Sequence, residues 1–469
     1  MPNLFSIRFF LAMEIARKKI DYNLIIFITL ICIYITAQFL IGTYDSKNNE
    51  FKYDAPADTD FLYYGAIINS VGGGGATIPP ENPALAGTKL TQPFLQYYPA
   101  AILSTIVGPY NAIRLLNLIY LILFGFLLKK LFPKNYALPL LILFAGSTYS
   151  TYINALGIDL ISRGFTHAPF FLLLMIALYG QNIKARLASI FVAALLNGYM
   201  MLMILPFLLL YFYYKRERQC LFIFGAGVLG LIVASLFVMS EAVEKPVYFI
   251  IAESFKFAPL EILNHATPII ILAVLYRNIQ ASILLGLAIL FGTFIHYNPF
   301  FPVFMVYFSG AMILIEGKPI FNISKLVSSV LVSLMFLCFV YLTYQKFDPN
   351  NKNYYPRYDN KISKSIEWIK KNTNDDAIFT AINADQGDMA LIMQYRPVYL
   401  GPIELVAHLG LNWRPRYEAI MKLYRYGQVP DGVDYIYYGP VEKKYFPNWT
   451  LPNPVIYQDY NVTIYQARK

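Results

Sequence analysis

The sequence predicts a mainly α-helical, polytopic membrane bundle of about 11 spans, with a small extracytoplasmic α/β domain at its C-terminal end. Three observations predict it. Of 469 residues, 57% are hydrophobic and 14% charged, with a mean hydropathy of +0.48; soluble domains run to about a quarter charged. The apolar residues gather into eleven runs, too many for a soluble enzyme on one anchor. Beyond about residue 345 the composition turns polar and charged. The expected division is therefore 1–345, a membrane domain with a structured first outer loop at 43–110, and 346–469, the α/β domain.

Spans need about 20 mainly apolar residues, because a helix rises 1.5 Å per residue through about 30 Å of hydrocarbon. The first run, 23–42, follows Arg17-Lys18-Lys19. It is too long for a signal peptide, and no small-residue cleavage site follows it. Further runs lie near 111–128, 136–153, 166–180, 187–197, 199–214, 220–240, 266–276, 279–295, 300–315 and 326–344. Those at 187–197 and 266–276 are short, and the first leaves two readings: a half-span, or one helix broken at Asn197-Gly198.

Charge orients the bundle. With the N-terminus in the cytoplasm, alternation places Lys129, Lys130, Lys184, Arg186, Lys215, Arg277, Lys318 and Lys325 inside. Most acids then fall outside, among them Asp54, Asp58, Asp60, Asp159, Glu244 and Glu253. Lys and Arg are retained on the cytoplasmic side of membrane proteins. The net charge of +10 reflects this bias, with no nucleic-acid partner. Eleven spans leave the tail outside. The three cysteines, Cys32, Cys220 and Cys338, lie in or beside apolar runs and suggest neither disulfides nor zinc.

Two regions are not spans. The outer loop carries an expected helix at 61–71, a Gly72–Gly75 run, and an amphipathic piece at 93–108 that lies along the outer membrane face. In the tail, helices are expected at 362–373 and 416–427, and strands at 377–382, 433–439, 454–458 and 462–467.

Chemistry is expected where acids cluster at the outer membrane edge. Asp58 and Asp60 precede the 61–71 helix: either could cap its N-terminus, or project into a cavity as a general base or metal ligand. Asp159 sits in a tight outer loop between two apolar runs, where an ionisable residue is a functional candidate. Arg163, four residues on, is either its helix partner or, with His167, a phosphate ligand. Arg114 opens a span as a snorkelling anchor or a phosphate ligand. No nucleotide-binding loop, serine nucleophile elbow or His-Glu-x-x-His motif is present.

Taken together, one span, a long outer loop with Asp60-Phe-Leu-Tyr-Tyr-Gly, a Tyr-Pro piece (QYYPAAILSTIVG), an Arg-opened span (NAIRLLNLIYLILFGFLLKKLF) and a second outer acid (Gly157-Ile-Asp159) form a layout. It resembles the GT-C superfamily of polytopic glycosyltransferases over about 20–215. That superfamily includes protein O-mannosyltransferases, oligosaccharyltransferase catalytic subunits and aminoarabinose transferases of lipid A. The resemblance implies a polyprenyl-phosphate-linked sugar donor, membrane lipid as its medium, and a glycan, lipid or protein acceptor on the extracytoplasmic side. Asp60 matches the first-loop acid, the catalytic base, and Asp159 the second, which positions a metal (Mg or Mn) or the acceptor. The family often has paired acids where Asp60 is followed by Phe61, so Asp58 stays a second counterpart. Arg163, His167 and Arg114 would bind substrate. The tail lacks the Trp-Trp-Asp-type motif of oligosaccharyltransferases. Two other readings stay open: a non-catalytic scaffold or partner subunit of this architecture, and a transporter, which would place ionisable residues in mid-span. Asn448-Trp-Thr and Asn461-Val-Thr are sequons on the outer side, and Asn322-Ile-Ser is one on the inner side.

Overall fold

The computed structural model describes residues 21–36, 58–72, 78–90, 94–133, 136–145, 164–215, 219–238, 258–294, 300–347, 363–382, 387–403, 406 and 411–467. Helices occupy all eleven apolar runs: α1 Tyr22–Ile35, α4 Pro109–Leu131, α5 Ala137–Ala145, α6 Gly164–Tyr179, α7 Ile183–Leu196, α8 Gly198–Lys215, α9 Cys220–Val238, α10 Ala258–Leu275, α11 Ile279–Phe294, α12 Phe300–Glu316 and α13 Ser324–Phe347. Among the described residues, α4 alone is long and apolar enough to cross a membrane, and nine shorter apolar helices are described over 10–17 residues. Large apolar side chains stand exposed on the bundle's outside, including Phe126, Leu221, Phe222, Leu236, Leu326 and Leu337. Such a surface suits lipid better than water.

Side-chain contacts fix the direction of the helices. At one end, Asn23 accepts from the Ala137 N–H, and the Arg186 Nε donates to the Ala177 carbonyl (2.7 Å). At the other end, the Tyr34 hydroxyl donates to the Arg114 carbonyl (3.0 Å) and Asn197 meets His167. So α1 runs antiparallel to α4, and α6 to α7. The first end also carries Lys129, Lys130, Lys184, Lys215, Arg277, Lys318 and Lys325, a single basic end as the loop charges predict.

The Asn197 question is settled by packing. A Cβ on Gly227 of α9 would meet Leu205 at 3.3 Å, Ile190 at 3.5 Å and Met201 at 3.6 Å. On one straight helix Ile190 and Leu205 would stand about 22 Å apart. They share one level, so the chain doubles back at Asn197 and α7 and α8 are two antiparallel helices. Asn197 ends α7 and starts α8, its Oδ1 accepting from the Met200 N–H (3.1 Å). Gly230 lets α9 lie against α7: a Cβ there would sit 2.7 Å from the Phe191 carbonyl oxygen.

Beyond the bundle lie α2 Asp58–Gly72 and α3 Tyr97–Val107, with the tail's α14 Ser363–Asn372, β3 Phe379–Thr380, α15 Gly387–Met393, α16 Arg414–Tyr426, β4 Tyr435–Tyr438, α17 Pro440–Tyr445, β5 Val455–Gln458 and β6 Thr463–Gln466. Two-residue strands β1 Tyr276–Arg277 and β2 Lys318–Pro319 pair at the basic end. The tail sheet runs β3-β4-β6-β5, with β3 parallel to β4 and the other pairs antiparallel. Gly427, with φ of 70°, ends α16 where the sequence placed its stop.

Two apolar cores result. One fills the bundle. The other unites the outer loop with the tail: Tyr63, Ile67, Leu90 and Tyr97 pack in one cluster with Phe379, Ile392, Ile436 and Ile464. Backbone bonds stitch the two together, from Ala86 N to Val398 O (3.0 Å), Val398 N to Pro83 O (3.1 Å) and Gly401 N to Ala84 O (2.7 Å). The loop and the tail therefore lie at the same end of the bundle.

Candidate functional site

The expected acids stand at the start of α2. The sequence suggested a helix from Phe61 with an aspartate as cap; among the described residues α2 already includes Asp58 and Asp60. Both aspartates are thus helical in backbone, and the segment ahead of Asp58 lies outside the described residues.

What holds α2 is clear. Tyr63, Ala66, Ile67 and Val71 form its buried stripe, and α3 supplies Tyr97, Ala100 and Ala101 against it. The Tyr64 and Tyr97 rings lie 5.8 Å apart. The Tyr63 hydroxyl donates to Asn82 (3.3 Å). Asn69 donates to the Gln394 carbonyl (2.7 Å), tying α2 to the tail. Gly65 lets α2 approach α4 closely, since a Cβ there would lie 2.9 Å from the Tyr110 ring. On α3, Ile102 and Ile106 stand exposed on the face opposite the buried one. An apolar face one turn long at this level fits a helix lying in the membrane interface.

Arg114 lies in the second turn of α4, half-buried, with its Nη1 donating to Asn111 (3.3 Å). It sits at the end of the bundle that carries α2, α3 and the tail. His167 lies near the start of α6 and its Nδ1 is 3.4 Å from the Asn197 Nδ2. An amide NH₂ can only donate, so this pairing makes Nδ1 the acceptor and puts the neutral ring's proton on Nε2. His167 lies at the same end of the bundle as Arg114. Asn197 is the residue that sequence reasoning marked only as a break; its isolated Asn-Gly signature between apolar runs was the available signal.

Asp159 and Arg163 lie outside the described residues, as do the side chains of Asp58 and Asp60. Among the described residues no three His, Cys, Asp or Glu converge as a metal centre.

The sequence matches no protein-family profile and no curated protein. Its architecture does match solved structures. ArnT from Cupriavidus metallidurans bound to undecaprenyl phosphate superposes with a TM-score of 0.55 at 11% identity, over 95% of this chain and 98% of that one. The same enzyme in its apo state gives 0.52 at 12% identity, over 94% and 97%. The fold is that of a GT-C glycosyltransferase. The GT-C match takes in bundle, outer loop and tail together, since it leaves only a few per cent of either chain unmatched. The oligosaccharyltransferase of Archaeoglobus fulgidus aligns more loosely, with a TM-score of 0.48 over 71% of its length.

Proposed function

We propose that this protein is an integral membrane glycosyltransferase that moves a sugar from a polyprenyl-phosphate-linked donor to an extracytoplasmic glycan, lipid or protein acceptor. The observation that carries the reading is the whole-length GT-C fold, shared with an ArnT that was solved with undecaprenyl phosphate bound. The basic end of the bundle faces the cytoplasm, and α2, α3 and the tail face outward.

The chemistry follows from the residues. An acceptor hydroxyl attacks the anomeric carbon, the carbon–oxygen bond to the lipid phosphate breaks, and the hydroxyl proton passes to a carboxylate. Asp60 is that base, with Asp58 its neighbour in the same turn. Asp159 positions the acceptor or, with Asp60, a divalent cation (Mg or Mn), which would stabilise the departing phosphate charge. Arg163, Arg114 and the His167 N–H bind the phosphate, which is the leaving group. The chain doubles back at Asn197, so the break noted in the sequence is a turn between two helices, which supports the enzyme reading over a transporter with paired broken helices.

Purified protein assayed with a panel of polyprenyl-phosphate sugars tests the proposal. Asp60→Asn keeps shape and hydrogen bonding but removes the proton acceptor, so transfer should fall by about 100- to 10,000-fold. Asp159→Asn should lower turnover, and Arg163→Ala should raise the KM for the donor. Full activity in both aspartate variants would overturn the site, and no activity with any lipid-linked donor in the wild type would overturn the enzyme reading in favour of a scaffold.

A further inference from the structure

At the basic end of the bundle, opposite the tail, two loops form an ordered ribbon. Tyr276 pairs with Pro319 and Arg277 with Lys318. The Ile320 N–H donates to the Leu275 carbonyl (3.0 Å) and the Ser324 N–H to the Phe321 carbonyl (3.0 Å). The Ser324 Oγ in turn accepts from the Phe321 N–H (3.0 Å). Tyr276 is buried, with its hydroxyl 2.9 Å from Ser328 Oγ, and Asn278 donates to the Met312 carbonyl (3.1 Å). The ribbon therefore clamps the ends of α10, α11, α12 and α13.

This ordered turn displays apolar side chains outward. Ile320, Phe321 and Ile323 are 52%, 55% and 57% exposed, three large hydrophobic residues within four positions. They lie past the end of α12 and before α13, in the connection where polar residues are expected. Around them Arg277, Lys318 and Lys325 are all exposed. The one acid between 262 and 347 is Glu316, and it is engaged by Lys215 (3.3 Å) and the Tyr211 hydroxyl (3.1 Å). Among the described residues of these two connections the patch is apolar at its centre, carries the neutral Asn322, and is flanked by charged groups that are all cationic.

We propose that the 275–325 ribbon is an anionic-lipid contact: Ile320, Phe321 and Ile323 enter the headgroup–acyl boundary of the leaflet at the basic end, and Arg277, Lys318 and Lys325 hold anionic headgroups around them. Apolar side chains flanked by cations are the composition that binds an anionic membrane surface, combining burial with attraction to lipid charge. A soluble protein partner would be expected to meet a mixed rim, with charges of both signs or neutral polar groups, at the edge of its interface. Because the ribbon joins four helices, its depth in the leaflet sets the depth of the bundle.

The protein's own tryptophans make the test clean. All three, Trp368, Trp413 and Trp449, are in the tail. Phe321→Trp places a reporter in the ribbon without touching the core, and Ile323→Trp is the second variant should the first not fold. The whole chain is reconstituted in vesicles of phosphatidylcholine and phosphatidylglycerol, with bromine on the upper acyl chain of one lipid or the other. The expected result is quenching beyond that of the wild type, at least twice as strong with brominated phosphatidylglycerol as with brominated phosphatidylcholine at equal mole fraction. Adding Arg277→Gln, Lys318→Gln and Lys325→Gln should keep the quenching and abolish the preference. No added quenching would place the ribbon in water or under protein and overturn the proposal. Equal quenching by the two lipids in the parent would overturn its anionic selectivity.

Discussion

Gly401 is the point at which the tail's backbone presses on the backbone of the outer loop. A Cβ there would lie 2.9 Å from the Ala84 carbonyl oxygen and 3.0 Å from both its Cα and its Cβ. Ordinary contact begins near 3.4 Å, so Gly401→Ala must open the joint by about 0.5 Å. The obstacle is main chain, which cannot swing aside as a side-chain tip can. Ala84 and Gly401 are both buried, and the 2.7 Å bond from Gly401 N to Ala84 O spans the joint. Overpacking of a buried site costs about 1–3 kcal/mol, and loss of the bond adds about 1 kcal/mol. The total is roughly 2–4 kcal/mol. For a cooperative unit of this size that corresponds to a drop in Tm of roughly 4–16 °C. Thermal unfolding followed by tryptophan emission reads this unit selectively, because every tryptophan is in the tail. Gly286→Ala is the control, since a Cβ there meets nothing within 4 Å and alanine favours a helix. A Gly401→Ala protein melting within 1 °C of the wild type would refute the shared core as the link between loop and tail.

Arg396 should behave as a buried cap. It donates to the Lys370 carbonyl (3.0 Å) and the Thr373 carbonyl (2.7 Å) at the end of α14 and pairs with Asp375 at 2.8 Å; Arg396→Leu should cost roughly 3 kcal/mol in the same melt, by loss of charge-assisted bonds. Asp459 should make the tail acid-sensitive: burial pushes its carboxyl up, but the Tyr457 hydroxyl and the Val462 and Asn461 N–H groups, with Lys443, more than reverse this and hold it below the usual range. A depressed carboxylate stabilises the fold above its unfolded pKa of about 3.9 and loses that stabilisation as pH falls through the folded value. Melts from pH 7 to 3 should show the loss at the acid end in the wild type and a shallower one in Asp459→Asn. In a host that glycosylates outside the membrane, Asn448, which is exposed with a φ of 64°, should carry glycan in preference to half-buried Asn461, and Asn322 should carry none; peptide mass spectrometry checks this, and glycan on Asn322 would reverse the assigned sides.

Much of the architecture was legible in the sequence. Burial in lipid needs continuous apolar length, so hydropathy alone located all eleven helices, from Tyr22–Ile35 to Ser324–Phe347. The basic residues of the connecting loops do fall at one end. In the tail, Tyr-rich alternation located β4, β5 and β6 and a glycine located the end of α16. The short helices α15 and α17 were missed, because pieces of seven and six residues carry too little periodicity to read. At the candidate site, the sequence located the acid-bearing helix, whose described part, Asp58–Gly72, takes in the two aspartates expected to precede it.

By itself, then, the sequence determined where the described apolar helices lie and which end of the bundle carries the basic residues among them, both of which depend on local composition. Tertiary structure alone decided that Asn197 is a turn, that His167 is held by it, and that the first outer loop shares its core with a tail more than 250 residues away. Those outcomes rest on which surfaces meet: Gly227 touching Ile190 and Leu205 at once, and Gly401 seated on Ala84. A linear pattern records that a face is apolar, but the partner that buries it is chosen by packing in three dimensions.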